Sequence, residues 1–321
     1  YEKGIAINPY DVDIHNNLGR LFSKLKRMDE ALHSYKTAIK INPQHAETYK
    51  NLAIIFMDLD RLEESFNYVE KAISLNPKYA EGHSMKGRIL SEFDQLDEAL
   101  ESFNKADQID PNLYFILSNI LQTKMRLCDW NTLPELIKEL KNRINNNKKH
   151  TIIPFDLLSL IDDPRLQRMA SENYIKEDFP RNYSVPNSTP YPIHKEIRIG
   201  YFSSDFRIHP VATLTAELYE THDRSQFEIH AFSFGPDTGD EMNLRIKSGV
   251  DYFHDIREMS ERDAVVLARS LEIDIAIDLG GFTGDSRTGI FAMRVAPIQI
   301  SYIGYLGTMG SEYYDYLIAD Q

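Results

Sequence analysis

One cysteine, Cys128, in 321 residues excludes an intrachain disulfide. That usage fits a reducing, cytoplasmic compartment. Positive charge is also short: 36 Lys and Arg stand against 49 Asp and Glu, for a formal charge of −13. Sequence-independent nucleic-acid binding needs basic surface to displace counterions, so no nucleic-acid partner is expected, and no anionic membrane either. No run approaches the 18 apolar residues that a transmembrane helix needs. Familiar catalytic signatures are missing too. There is no Gly-x-Gly-x-x-Gly, which disfavours a nicotinamide dehydrogenase. Gly284 and Gly289 have the outer spacing of a P-loop, but Ile290-Phe291 stand where Lys-Ser/Thr is needed. The chain has no Gly-x-Ser-x-Gly elbow, no His-Glu-x-x-His and no Cys pair for zinc, so no metal is implied.

What is present is a ladder. Asn8-Pro9, Asn42-Pro43, Asn76-Pro77 and Asp110-Pro111 recur every 34 residues, and 34 is the tetratricopeptide (TPR) period. Small residues precede each later proline in phase: Gly19, Ala31 and Ala38; Ala53, Ser65 and Ala72; Gly87, Ala99 and Ala106. Large ones, such as Tyr35, Val69 and Phe103, fall between them. Small side chains let paired helices cross closely, and large ones fill the space to the next repeat. Proline stops each second helix because it cannot continue the hydrogen-bond ladder. Residues 1–112 are therefore expected to be TPR repeats, the first partial. Tyr1–Pro9 matches the tail of a repeat, so the parent protein is expected to extend upstream.

Asn17, Asn51 and Asn119 share one phase of the repeat, with Met85 in the third slot. A residue repeated once per unit points the same way in every unit. A column of amides can donate to and accept from a peptide backbone, which makes these three candidates for holding an acceptor polypeptide in a TPR groove. Solvated polar positions are the alternative.

After Pro111 the period decays. Residues 113–178 are expected to be a degenerate helical connector, with a turn at Cys128–Asn131 and a new helix starting at Asp163-Pro164. Pro180, Pro186, Pro190 and Pro192 mark residues 179–195 as a linker. From residue 196 to 321, strand-like runs alternate with helices. The strands are Ile197–Phe202, Phe227–Phe234, Tyr252–Asp255, Ile273–Leu279, Ile298–Ile303 and Tyr316–Ala319. This alternation predicts a Rossmann-like parallel sheet with helices on both faces. Ligands of such sheets bind beyond the carboxyl ends of the strands, where Asp205–Pro210, Gly235–Asp240, Gly280–Asp285 and Gly304–Gly310 fall.

Residues from about Ile197 to Gln321, behind TPR repeats, resemble the O-linked N-acetylglucosamine transferases and their SPINDLY-like relatives. The resemblance rests on Arg198–Phe206, His209-Pro210, Pro236-Asp237, Ala296–Gln299, Ile303–Thr308 and Asp315–Gln321. The Phe234–Met242 loop looks more like bacterial members. The resemblance implies a TPR α-superhelix followed by the first Rossmann-like lobe of a GT-B glycosyltransferase. It implies inverting transfer of a sugar from a nucleotide donor, such as a uridine-diphosphate sugar, to a Ser or Thr hydroxyl. His209 and Asp237 become catalytic candidates, and Gly304, Tyr305, Leu306 and Thr308 sugar-binding ones. Leu306 departs from the proline usual there. The donor is a substrate, so no cofactor is expected. A guanosine-diphosphate fucose donor, or a TPR scaffold carrying an inactive lobe, are the alternatives. The 321 residues alone are expected to show no transferase activity, since the family's diphosphate-binding residues lie in a second lobe.

Overall fold

The computed structural model describes residues 7–25, 27–185 and 191–319. The chain divides into two compact units between Asn142 and Arg143.

The first unit is built from helix pairs: α1 Val12–Lys24 with α2 Met28–Ile41, α3 Ala46–Asp58 with α4 Leu62–Leu75, and α5 Ala80–Glu92 with α6 Leu96–Ile109. The Asx-Pro ladder has a local cause. Asn8, Asn42, Asn76 and Asp110 each accept, through Oδ1, the backbone N–H two residues on, at 3.2, 2.9, 3.2 and 2.9 Å. This is the Asx-turn, and the proline within it blocks continuation of the helix. The freed proline carbonyls are taken up in phase. Pro9, Pro43 and Pro77 are met by His15 Nε2, Tyr49 Oη and His83 Nε2 at 2.9, 3.2 and 3.0 Å. Within pairs, Gly19 and Gly87 lie under the rings of Tyr35 and Phe103. A Cβ at either would sit 2.7 Å from a ring carbon, so glycine sets the helix spacing.

The turns inside the pairs repeat as well. Arg27 N, Arg61 N and Gln95 N donate to Phe22 O, Phe56 O and Leu90 O at 2.9, 2.8 and 2.9 Å. Asp60 and Asp94 adopt φ of 57° and 58°, which is the Schellman ending of a helix. Arg27 lies 4.6 Å from the Phe22 ring and pairs with Glu30; Arg61 lies 4.7 Å from Phe56 and pairs with Glu64. Gln95 replaces the arginine in the third turn. There Arg126 reaches back to Ser91 O and Asp94 Oδ1, at 3.3 and 2.9 Å.

Residues 113–178 were expected to be a degenerate helical connector, and this stretch opens with helices α7 Ile116–Arg126 and α8 Leu133–Asn145 joined by a turn. That turn keeps the repeat geometry: Asp129 N donates to Lys124 O at 2.9 Å, and Cys128 has a φ of 54°. Backbone geometry has survived where the side-chain pattern has not.

The second unit contains α9 Pro154–Leu157, α10 Pro164–Asp178 and then β1 Ile197–Ser203, α11 Pro210–Thr221, β2 Phe227–Ser233, α12 Glu241–Gly249, β3 Tyr252–Asp255, α13 Glu261–Ser270, β4 Ile275–Asp278, α14 Thr288–Ala292, β5 Ile298–Tyr302 and β6 Tyr316–Ile318. All six strands pair in parallel, in the order β3-β2-β1-β4-β5-β6. Alternating strand residues feed two cores. Ile199, Tyr201, Ile229, Ala231 and Ile277 pack against Ala212, Ala216 and Tyr219 of α11 and Ile246 of α12. Phe202, Phe232 and Ala276 pack against Ala264, Val265 and Ala268 of α13 and Phe291 of α14. Phe202 and Phe232 stack at 4.4 Å and 3°. The α/β expectation holds, with β-strand ends within a residue or two of those read from the sequence.

Residues 179–195 were expected to be a linker, and their described parts are not free. Val185 is buried in the second core, Asn182 N donates to Ala292 O at 2.9 Å, and His194 meets Glu272 and Asp274 at 2.8 and 3.1 Å. Ile175 of α10 enters the same core, so the later part of the expected connector belongs with the sheet. Pro186 and Pro190 lie outside the described residues.

Candidate active site at the sheet switch point

Strands β1 and β4 are neighbours, and their connections leave in opposite directions. The crevice at their carboxyl ends is where doubly wound sheets bind ligands. Three loops close on it. Gly235, after β2, lies against the loop after β1 so tightly that a Cβ would fall 1.7 Å from Ser204 O. Asp240 ties the same loops with one carboxylate. It caps α12 through Asn243 N at 2.8 Å, and accepts Ile208 N at 3.0 Å and Thr238 Oγ1 at 2.5 Å. The Thr238 hydroxyl, helped by backbone N–H groups, holds the Asp240 carboxyl below its usual range. Asn243 Nδ2 donates to Phe206 O at 2.7 Å.

His209 sits at the start of α11, as expected, and serves as its N-cap. Its Nδ1 accepts from Val211 N at 3.3 Å, with Pro210 in the first turn. Asp205, 8% exposed, places Oδ2 3.7 Å from the same Nδ1. The other imidazole nitrogen is set by this choice. While Nδ1 accepts a backbone N–H, a neutral ring carries its proton on Nε2 and is a donor there. If the ring closes on Asp205, the proton moves to Nδ1 and Nε2 becomes an acceptor. Arg207 lies 3.5 Å from Asp205 Oδ1, and its Nε is buried without a partner.

Asp237 is on the neighbouring loop, in an ion pair with Lys247 of α12 at 2.6 Å. His209 and Asp237 thus belong to loops that Asp240 joins, but their own partners differ.

The four sugar-binding candidates separate. Gly304 packs against the loop after β4; a Cβ there would lie 1.8 Å from Leu279 O. Tyr305 is 2% exposed, its ring edge-on to Phe282 at 5.1 Å. Burial raises its pKa, opposed by a hydrogen bond with Ser171. Its side chain is core, and only its backbone can face a ligand. Leu306 is 86% exposed. Thr308 Oγ1 accepts Gly310 N at 3.2 Å and borders a cleft of about 640 Å³ shared with Ser301, Ser311, Tyr314 and Asp315. The loop starts from a strained point. Ile303 has a φ of 60°, and Gly304 N donates to Tyr302 O at 2.8 Å, which is a γ-turn on a β-branched residue.

Two residues of this corner escaped the sequence reading. Asp278, 4% exposed, ends β4. Its Oδ1 accepts Gly280 N and Gly281 N at 2.9 and 3.1 Å, and its Oδ2 accepts the Tyr314 hydroxyl. Burial raises the Asp278 pKa against these three donors. The signal was a carboxylate ending an apolar strand, just before Gly280-Gly281.

In the repeats, the three asparagines are not equivalent. Asn51 is 6% exposed and its Nδ2 donates to Asn16 Oδ1 at 3.0 Å; Thr48 Oγ1 donates to the same oxygen at 3.1 Å. Asn17 accepts Arg20 Nη2 at 3.0 Å. Asn119 is half-buried. Among the described residues, no helix is long and apolar enough to cross a membrane, and no group of three or more His, Cys, Asp or Glu is arranged to hold a metal.

Residues 175–321 match the model of glycosyl transferase family 41, and residues 12–45, 46–79 and 68–101 match tetratricopeptide repeat models. An Arabidopsis thaliana protein described as a probable UDP-N-acetylglucosamine–peptide N-acetylglucosaminyltransferase, SEC, is 31% identical over 216 residues, covering 63% of this chain and 22% of the relative. A Caenorhabditis elegans UDP-N-acetylglucosamine–peptide N-acetylglucosaminyltransferase is 28% identical over 218 residues, covering 60% of this chain and 18% of the relative. The chain thus spans about a fifth of the length of these curated relatives. The solved structure of an O-GlcNAc transferase mutant from Thermobaculum terrenum shares the fold, with a TM-score of 0.57 and 21% identity over 97% of this chain and 54% of that one. The sheet at whose switch point His209 sits, with its packed approach from residue 175, is similar to glycosyl transferase family 41, and residues 12–101 before it match tetratricopeptide repeats.

Proposed function

We propose that this chain belongs to an inverting protein O-glycosyltransferase, in which the repeats bind the acceptor polypeptide and the sheet corner handles sugar and hydroxyl. The observation that carries this reading is His209, capping α11 at the switch point of a sheet similar to family 41, with Asp205 beside its Nδ1. The Ser or Thr oxygen attacks C1 of the sugar, the C1–O bond to the nucleotide diphosphate breaks, and the diphosphate leaves with the electron pair. The hydroxyl proton must leave the acceptor oxygen as the new bond forms. His209 serves either demand of such a site. With Nδ1 on Val211 N, its Nε2–H orients an oxygen of the donor or acceptor; with Nδ1–H on Asp205, Nε2 accepts a proton. The donor is a uridine-diphosphate sugar such as UDP-N-acetylglucosamine, the compartment is cytoplasmic, and the reaction needs no metal.

The test is a donor screen on the full-length protein, with UDP-N-acetylglucosamine and GDP-fucose supplied separately and peptide mass spectrometry as the readout. A sugar mass on a Ser or Thr, dependent on one donor, is the expected result. Binding of polypeptide by the repeats with no transfer from any donor would instead establish a scaffold.

A further inference from the structure

Several contacts converge on the loop that leaves β5. Gly304 backbone lies on Leu279 O. Gly281, at a φ of 57°, leaves so little room that a Cβ would fall 2.5 Å from Tyr305 Cβ and 3.3 Å from Met309 Sδ. Tyr305 and Met309 are 2% and 5% exposed, so both anchor the loop inward while Leu306 projects outward. The loops after β4 and β5 therefore interlock through two glycines. That interlock must also hold the γ-turn at Ile303, a conformation a β-branched residue keeps only where its surroundings impose it. Among the polar links of this corner, one joins the two ends of the assembly directly. The Tyr314 hydroxyl, from the far end of the β5–β6 connection, donates to Asp278 Oδ2, while Asp278 Oδ1 holds Gly280 N and Gly281 N. The Tyr314 ring is held flat on Phe291 at 5.3 Å and 20°, and it also borders the cleft beside Thr308.

We propose that Asp278 and Tyr314 are positioning residues: their hydrogen bond fixes the Gly304–Thr308 backbone where it meets the sugar of the nucleotide donor. The proposal rests on the glycosyltransferase reading above. The pair spans both ends of the loop, since Asp278 orders the Gly280-Gly281 seat against which the loop begins and Tyr314 ties down the segment where it returns. Neither side chain needs to touch the donor for its loss to be felt. Removing the Tyr314 hydroxyl leaves the buried Asp278 carboxyl short of one donor, while the bonds from Gln299 Nε2 and Arg294 Nη1 to Tyr313 O and from Thr288 Oγ1 to Gly281 O remain. An asparagine at 278 keeps an acceptor for the two glycine N–H groups and gives an amide N–H that the Tyr314 oxygen can accept, so it preserves the link with the donor role reversed.

The experiment uses the full-length protein with Tyr314→Phe, Asp278→Ala and Asp278→Asn. Two quantities are read: the KM and kcat for the nucleotide sugar, and hydrogen exchange of the amides of residues 304–310. Tyr314→Phe and Asp278→Ala are expected to raise the donor KM about tenfold with kcat changed less than about threefold, the pattern of lost ground-state contact. Exchange of the 304–310 amides should quicken about tenfold in both. Asp278→Asn should return the KM to within about threefold of wild type. Unchanged exchange in Tyr314→Phe overturns the proposal, because the pair then does not hold the loop. Faster exchange with an unchanged donor KM also overturns it, because the loop then does not position the sugar. A loss of activity that only follows the loss of folded protein, with KM intact, marks a structural role and overturns it as well. If the wild-type protein transfers sugar from no donor, the glycosyltransferase reading fails instead, and the exchange rates alone decide whether the pair fixes the loop.

Discussion

The side-chain amide of Asn51 donates to the side-chain oxygen of Asn16 across 3.0 Å, joining one repeat to the next. Both residues are buried, at 6% and 2% exposure. The Asn16 oxygen also takes the Thr48 hydroxyl, so a single acceptor in α1 serves two donors of α3.

Replacing Asn16 by Ala should therefore cost more than one hydrogen bond. It strands the Asn51 amide in a buried place and leaves the Thr48 hydroxyl to His45 Nδ1, 2.6 Å away; an unsatisfied buried donor costs about 1–3 kcal/mol. Asn17→Ala, at a position that meets Arg20 on a more open surface, should cost less than about 0.5 kcal/mol. Urea midpoints of the two variants check the contrast. Peptide binding by Asn17→Ala and Asn119→Ala then reports on the groove without the stability loss.

His209 has two duties that substitution can separate. His209→Ala removes the N-cap of α11 and should lower stability by about 1 kcal/mol. Asn is a good N-cap, so His209→Asn should recover most of that. Neither variant supplies the imidazole Nε2. Both should lose about tenfold to a hundredfold in kcat/KM, the value of one charge-assisted hydrogen bond of about 1.5–3 kcal/mol. Thermal melting alongside donor turnover checks this, and a His209→Asn enzyme with full activity would show that only the cap matters.

His230 and His254 face each other on the sheet, Nδ1 to Nε2 at 3.0 Å, with Glu228 on the other side of His230 at 2.8 Å. Burial holds the His254 imidazole down at about 4, and the neighbouring His230 adds to the shift. Burial also lowers His230, with Glu228 opposing. In the unfolded chain both titrate near the ordinary 6.5. Protons therefore bind the unfolded chain first, and the folded state's advantage is complete above 6.5 and declines as pH falls toward about 4. The urea midpoint of the wild type should drop between pH 7 and pH 5. In His254→Gln the drop should be smaller.

Gly235→Ala should be damaging and Gly284→Ala nearly silent. The first Cβ would fall 1.7 Å from Ser204 O, so the loops after β1 and β2 must part; such overpacking costs about 1–3 kcal/mol. The second meets nothing within 4 Å, and a change of less than about 0.5 kcal/mol is expected. Chemical denaturation of both checks the pair. The same variants separate the tie between the loops from the mere presence of glycine.

The sheet was readable because its strands are apolar runs that stop at Asp, Ser or Gly, and because strand and helix alternate at regular length. The switch-point position of His209 followed from that order. Other features had no period to reveal them. α14, Thr288–Ala292, is five residues long, too short for an amphipathic pattern. The turn at Cys128–Asn131 was readable, but not that Cys128 fills the left-handed position that Asp60 and Asp94 fill one and two periods earlier. The phase of Asn51 was visible, but its partner was not, since Asn16 lies 35 positions away and therefore out of step with the repeat. Tyr305 was grouped with a ligand loop by its neighbours in sequence, whereas its side chain turns inward to Phe282.

Arg27 and Arg61 close their turns from within, each using a ring that precedes it and a glutamate three residues on. The α5–α6 turn has no such arginine and is closed by Arg126, from the helix that follows. This difference sets an order of assembly on the ribosome, where the amino-terminal part emerges first. The first two turns can finish once Glu64 has left the tunnel. The third stays without its guanidinium until α7 has been made, so a nascent chain paused between Ile109 and Arg126 exposes one unfinished turn to whatever waits outside.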